Sequence, residues 1–170
     1  MPRFRASLGF VAAAAFLGGC AHYQLGTGAA PAFRTLHIEP VANRTLLPQS
    51  QAIVSTHLRE AFARDARAQL VNSAAGSDAI LVVTITGYRR EVAAAREGDT
   101  GLARKFNITL EAACTLRDQR AAKTIWENRP VSVTREVFTD GGQLQSEHQA
   151  ISLLAESLAA KIVRGALDTW

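Results

Sequence analysis

The sequence predicts an α/β (α+β) fold, in which two helices pack on one face of a mixed, mainly antiparallel sheet of four to five strands. Three observations predict this two-layer sandwich. The length of 170 residues allows one domain of ordinary size. Apolar and polar residues alternate over several long segments, as in strands with one wet face. In two other segments the apolar residues recur at helical spacing.

The first half of the domain predicts a strand, a helix and a short second strand. Residues 33–41 alternate in polarity and end near Pro40, which lacks a backbone donor, so we expect a strand at or near a sheet edge. After Pro48, apolar residues recur at the spacing of an amphipathic helix with one buried face. These residues are Val54, Leu58, Ala61 and Phe62. Residues 69–71 then predict a short strand.

Three longer strands are predicted next. Residues 79–88 form a β-branched run that we expect to be a central strand. In residues 105–117 every second side chain is apolar, which predicts a strand of about twelve residues whose dry face includes Cys114. Residues 124–138 predict another strand, and Pro130 interrupts its ladder, so a bulge or a sheet edge is expected there.

The last predicted element is a second amphipathic helix. Its apolar residues predict a long helix from about Ser146 to Leu167, with a length of roughly 30 Å. The stripe consists of Ile151, Leu154, Ala155, Leu158 and Ile162. Because only 6% of the chain is aromatic, we expect these helix stripes and the strands to enclose a thin core.

The amino terminus has the layout of an export signal. Two arginines precede an uncharged apolar run at residues 6–16, which is too short for a membrane-spanning helix of ~20 residues. Leu17, Gly18 and Gly19 before Cys20 resemble the bacterial lipobox, in which the cysteine thiol receives diacylglycerol. We therefore expect a signal peptide at 1–19, a lipidated Cys20 with a tether at 20–32, and one domain at 33–170. The alternative is ordinary secretion with a free Cys20.

The charge balance argues against nucleic acid as a partner. The full chain has a formal net charge of +4, but removal of residues 1–19 leaves 17 basic and 15 acidic side chains. Nucleic-acid affinity depends on clustered cations that neutralise phosphates, so an exported, nearly neutral domain is expected to bind no DNA or RNA. By resemblance to sorted lipoproteins, Ala21 after Cys20 favours the outer membrane, on its periplasmic face. Lipidation would leave Cys114 as the remaining thiol, and we expect it to be buried.

No catalytic or metal motif stands out. The four histidines lie in different predicted elements, without a second His or Cys at metal-ligand spacing. The Ser-x-x-Lys and Gly-x-Ser-x-Gly motifs are absent from the sequence. We therefore predict a protein that is not an enzyme and that holds neither a metal nor another cofactor.

Two groups of cations lie at opposite ends of the predicted hairpins. The first group, which antiparallel pairing would place near one end of the sheet, consists of Arg89, Arg90, Arg104 and Lys105. The second group, at the opposite turn, consists of Arg117, Arg120 and Lys123. Such groups suit phosphates or an acidic partner. The alternative is that they are solvated strand ends that discourage aggregation.

Several segments together resemble the LptE family of lipopolysaccharide (LPS) assembly lipoproteins, over nearly the whole mature chain. They are the lipobox with Cys20, His22 and Tyr23, the Val-Ala-Asn-Arg-Thr run at 41–45, the strand at 78–88, the Leu-Arg-Asp turn at 116–118 leading to Lys123, Ile125, Trp126 and Glu127, and the Ala-rich terminal helix. The resemblance implies a plug and assembly partner inside the lumen of the outer-membrane barrel LptD. It also implies help for LPS on its way to the cell surface, without covalent chemistry. The seven cations above are candidates for LPS or partner contacts from charge placement only.

Two other functions remain open from the sequence. A lipoprotein activator of peptidoglycan synthases can share an exported α/β domain of similar element order, although it typically hangs on a longer tether. A small periplasmic hydrolase could assemble its site from residues that are scattered along the chain.

Overall fold

A computed structural model describes residues 31–94, 105–138 and 143–168. Its elements, in chain order, are β1 (Thr35–Ile38), β2 (Ala42–Asn43), α1 (Ser50–Asp65), β3 (Gln69–Val71), β4 (Ala79–Ala94), β5 (Lys105–Asp118), β6 (Lys123–Phe138) and α2 (Gln143–Leu167). The predicted signal peptide, Cys20, most of the tether and Arg104 lie outside the described residues. The predictions about them are therefore still predictions.

The strands form one mixed sheet in the order β3-β1-β4-β5-β6, with β2 beside β4. β1 runs parallel to β3 and β4, and β2 runs parallel to β4. The long β4–β5 and β5–β6 ladders are antiparallel and supply most of the paired residues. The predicted fold class is confirmed. The sheet has six strands, because the two-residue β2, too short to show a periodicity in the sequence, adds to the four or five that were expected.

The sheet has two distinct ends. We call the end at Asp78, Asp118 and Lys123 the base, and the end at Val92, Lys105 and Phe138 the tip. β5 has 14 residues, so base and tip are separated by about 45 Å at ~3.3 Å per residue. Both helices run from tip to base, because their carboxyl ends meet at the base through an Arg67–Asp168 contact. The positive ends of both helix dipoles therefore lie toward the tip.

The alternation of β5 places one row of side chains against the helices, as predicted. Phe106, Ile108, Leu110, Ala112, Cys114 and Leu116 are all buried. All of them except Phe106 join the stripes of α1 and α2 in a single core. Burial raises the pKa of the Cys114 thiol to about 12, which keeps the group protonated and unreactive at neutral pH. The expected burial of Cys114 is confirmed.

The last strand is an edge strand. β6 ends the strand order, and Pro130 lies opposite Ala113 in its ladder with β5. The register of this ladder shifts between Cys114 and Arg117, next to the proline. A proline fits here because an edge strand has a side without a ladder partner. The predicted edge or bulge at Pro130 is confirmed.

Candidate functional site

At the base, Asp78 connects three segments that are far apart in sequence. Its Oδ2 atom accepts hydrogen bonds from the backbone N–H groups of Arg34 (2.9 Å) and Thr35 (3.0 Å). Its own N–H donates to Thr35 Oγ1, and its carbonyl oxygen accepts from Gln119. The two backbone hydrogen bonds lower the pKa of the carboxyl. Asp78 therefore fixes the entry of the chain into β1 against β4 and the 119–122 turn.

A second polar cluster at the base joins the carboxyl ends of the two helices. The Arg67 guanidinium donates to Asp65 at 2.6 and 3.0 Å and to Asp168 at 2.8 Å. The hydrogen bonds from Arg67 lower the pKa of Asp65, and the two carboxylates raise the pKa of Arg67. This arginine, which lies outside both predicted cation groups, therefore has a structural role.

The predicted base cations lie near each other but differ in their contacts. Arg120 Nε is 3.7 Å from Asp78 Oδ1, and its backbone N–H donates to Asp118 Oδ1 at 2.9 Å. Arg117 and Lys123 form no ion pair with any described residue, and both are exposed. The turn thus fixes the backbone of Arg120, while the side chains of Arg117 and Lys123 face solvent.

The predicted tip cations do not form one cluster. Arg90 lies opposite Ile108, on the face that the helices cover, whereas Arg89 lies opposite Thr109 on the other face. Lys105 shares the face of Arg89 but pairs with Ala94, four positions along β5 from Thr109. Strand alternation separates the two arginines, because neighbouring residues point to opposite faces. Arg104 lies outside the described residues.

The three described residues of the predicted tip group each have a carboxylate partner. Arg89 forms an ion pair with Glu111, and Lys105 contacts Glu136 at 2.7 Å. Arg90 pairs with Glu147 of α2, and its guanidinium carbon lies 4.8 Å from the centre of the Phe106 ring. These pairs are at least partly exposed, so they hold the side chains weakly and an anionic ligand can compete for the cations.

The tip also exposes apolar side chains that the sequence did not single out. Val92 is 57% exposed and Phe138 is 56% exposed. Arg135, another residue missing from the predicted set, is exposed on the helix-side face, opposite Ile108. Because Val137 and Phe138 are adjacent, only one of them can face the core, and this was a usable signal in the sequence.

The clearest catalytic geometry lies between the helices. Ser152 Oγ is 3.0 Å from His57 Nε2, and His57 Nδ1 is 3.5 Å from Glu60 Oε2. These residue types occur in hydrolase triads. However, Ser152 lies inside α2, where the backbone N–H groups donate to carbonyl oxygens of the helix itself. The described residues around Ser152 therefore offer no pair of free donors for an oxyanion. We interpret the contact as a tie between α1 and α2.

Neither a cluster of metal ligands nor a membrane-spanning helix occurs among the described residues. Within ranges 31–94, 105–138 and 143–168, no three His, Cys, Asp or Glu side chains come together to hold a metal ion. In the same ranges, neither helix combines the length and the apolar character that crossing a bilayer requires.

Comparisons with known proteins identify relatives of this domain. The family model LptE, described as Lipopolysaccharide-assembly, matches residues 33–165. No curated protein matches the chain.

Several solved structures share the fold. Protein XCC0632 from Xanthomonas campestris has 14% sequence identity and a TM-score of 0.59, and the match covers 82% of this chain and 87% of that one. Lipoprotein B from Nitrosomonas europaea has 20% identity and a TM-score of 0.52, with coverage of 86% and 88%. Protein CT253 from Chlamydia trachomatis has 12% identity and a TM-score of 0.54, with coverage of 79% and 95%. At these identities the similarity is one of fold.

Proposed function

The chain belongs to the LptE lipopolysaccharide-assembly family, and on this premise we propose that it plugs the LptD barrel, assists its assembly and supports LPS transport to the cell surface. The observation that carries the proposal is the family match over residues 33–165, which spans almost the whole predicted domain. The family consists of lipoproteins without enzymatic activity, so we further propose that this chain catalyses no reaction.

The proposal includes a lipid anchor at Cys20 in the outer membrane. Residues 33–35 enter the domain at the base, where Asp78 binds the backbone of Arg34 and Thr35. The fourteen residues from Cys20 to Phe33 span at most about 45 Å when they are extended. An anchor attached there leaves the tip free for contacts with the barrel and with LPS.

The tip offers chemistry that suits a phosphorylated, acylated lipid. Arg90 and Arg135 flank Ile108 in one row across three strands, on the same face of the sheet. Two strand spacings place their Cα atoms about 10 Å apart. The two guanidinium groups can each bind a phosphate. The exposed Val92, which lies opposite Phe106 on the same face, can contact acyl chains.

The alternative interpretation is that the tip is a solvated strand end that prevents aggregation. Protective strand ends carry charges and avoid exposed apolar side chains. Val92 and Phe138 do not fit that pattern, since each is more than half exposed. Val92 is two residues from Arg90 on the helix-side face, and Phe138 contacts Lys105 on the other face. The combination of cations with exposed apolar groups favours a lipid-binding surface.

The first test compares LPS binding by the full mature protein and two double variants. We expect Arg90→Glu with Arg135→Glu to weaken LPS binding at least tenfold, because each substitution places a carboxylate where a phosphate would bind. The matched control reverses two exposed cations at the base, Arg117→Glu with Lys123→Glu, and should bind as the wild type does. Circular dichroism checks that each variant is folded. Equal binding by both folded variants would remove the tip from the proposal.

The second test identifies the partner. The lipidated protein is purified from detergent-solubilised outer membrane, and LptD is expected to copurify with it. Recovery of a peptidoglycan synthase in place of LptD would contradict the proposal and support the activator function. Turnover of a cell-wall substrate that Ser152→Ala abolishes would support a hydrolase.

A further inference from the structure

One edge of β4 lacks a strand partner over the tip half of the sheet. β1 and β2 cover this edge only as far as Ile85, where the last contact is a 2.9 Å hydrogen bond from Arg44 N to the Ile85 carbonyl. From residue 86 to residue 94, no described strand pairs with β4 on that side. Antiparallel pairing with β5 uses the backbone groups of alternate residues, so those of the intervening residues point toward the open edge.

A rigid loop follows β2 at the point where this edge begins. Asn43 Oδ1 accepts hydrogen bonds from the Thr45 N–H at 2.9 Å and the Thr45 hydroxyl at 2.8 Å. Asn43 Nδ2 and the buried Ser50 hydroxyl both donate to the Leu47 carbonyl at 2.9 Å. Leu46 lies in the middle of this loop and is fully exposed. The loop is therefore preorganised in a shape that presents one apolar side chain, which lowers the entropy cost of binding.

An open cavity of about 570 Å³ lies between the loop and β4. Its lining includes two arginines, Arg44 and Arg89, against one carboxylate, Glu111. The β4 register shifts between Ile85 and Gly87 at this point. A Cβ atom on Gly87 would lie 2.5 Å from Glu111 Oε2, so the glycine makes room for this carboxylate in the lining of the cavity. The cavity thus lies beside the first residues of the open edge, and its lining carries an excess of positive charge.

We propose that residues 86–94 of β4 accept an extended acidic segment of the barrel partner as an added strand, with Leu46 as its apolar anchor. This inference rests on the proposed function, since that supplies the partner. Backbone hydrogen bonds along the edge would bind the segment, and Arg44 with Arg89 would select acidic side chains. The edge strand β6, by contrast, carries Pro130, which lacks the backbone donor that an added strand would use.

Hydrogen exchange on the full lipidated protein, alone and in complex with LptD, tests the pairing directly. We expect backbone amides within residues 86–94 to exchange at least tenfold more slowly in the complex, because added-strand hydrogen bonds protect them. Amides of β6 at residues 131–138 serve as the internal comparison and should change less. Unchanged exchange at 86–94 in a formed complex would overturn the inference and leave the proposed function standing. Absence of any complex would overturn both.

Two variants sharpen the test. Leu46→Ser and Arg44→Glu should each weaken LptD binding several-fold, whereas Leu153→Ser, which changes a leucine that is 39% exposed on α2, should not. Equal binding by Leu46→Ser and the wild type would count against Leu46 as the anchor and overturn the inference as stated. Protection of residues 86–94 in the protein alone at high concentration, or by LPS vesicles without LptD, would assign the edge to a second copy or to lipid and would also overturn it.

Discussion

The base and the tip of the sheet both carry arginines, but the two ends differ in what those arginines contact. At the base, Arg67 bridges two helix ends through three hydrogen bonds to carboxylates. At the tip, Arg90 pairs with the carboxylate of Glu147 and shares its face of the sheet with the exposed Val92. Arg67 is thus held where several elements converge on it, whereas Arg90 lies where the sheet extends beyond such contacts.

The backbone shows the same difference. Asp78 at the base satisfies N–H groups at the start of β1 and also faces the 119–122 turn. At the tip, one edge of β4 has no described strand beside it, and Val92 and Phe138 remain exposed. Regions with few buried contacts tend to open locally and to carry binding functions. Variants at the two ends should therefore separate stability from binding.

The largest expected effect comes from truncating a buried side chain near the base. Leu116→Ala should lower the free energy of unfolding by about 2–5 kcal/mol, because it leaves a cavity in the core. Phe138→Ala at the tip should change it by less than about 1 kcal/mol, since more than half of the ring is already in water. Urea unfolding followed by circular dichroism measures both. Similar losses for the two variants would remove the distinction between base and tip.

An intermediate effect is expected from the two arginines. Arg67→Gln should cost about 1–2 kcal/mol, after allowance for partial exposure, because two carboxylates lose charged hydrogen bonds. Arg90→Gln should cost less than about 1 kcal/mol, as expected for an exposed ion pair. The same denaturation assay compares them. A larger loss for Arg90→Gln would show that the tip pair, not the base cluster, stabilises the domain.

The smallest expected effect is a dependence of stability on acid. Asp65 and Asp78 have pKa values below the ordinary 3.8, so both bind protons more readily when the chain is unfolded. Their contribution is fully present above about pH 5 and is lost as the pH falls through their lowered values. The fall in unfolding free energy between about pH 5 and pH 2 should be smaller in Asp65→Asn with Asp78→Asn than in the wild type. Phe138→Ala at the tip, which removes no titratable group, is the control and should leave the pH profile unchanged.

Much of the architecture could be predicted from local pattern. In β5 a two-residue period places each side chain on one face or the other, and the predicted dry row, including Cys114, is buried throughout. The helix stripes were equally clear, because apolar residues that repeat every 3.6 positions over a long segment share one face only in a helix. β2 was missed because two residues show no period.

The candidate surfaces were less accessible to sequence analysis. Proximity along the hairpin suggested that Arg89, Arg90 and Lys105 would share one patch. The structure distributes them over two faces and several positions, since alternation and the register shifts at Ile85–Gly87 and Val92–Ala94 set their directions. The Arg90–Arg135 row and the Asp78 contacts join residues that are more than 40 positions apart, so no local sequence pattern predicts them.

The sequence by itself determined which side chains enter the core, because a repeat of two or 3.6 residues fixes the face of an element without reference to the rest of the chain. Only the tertiary structure decided which charges meet and which strand edge stays open. Those outcomes depend on strand order, register and helix placement. They arise from the packing of segments that lie far apart along the chain.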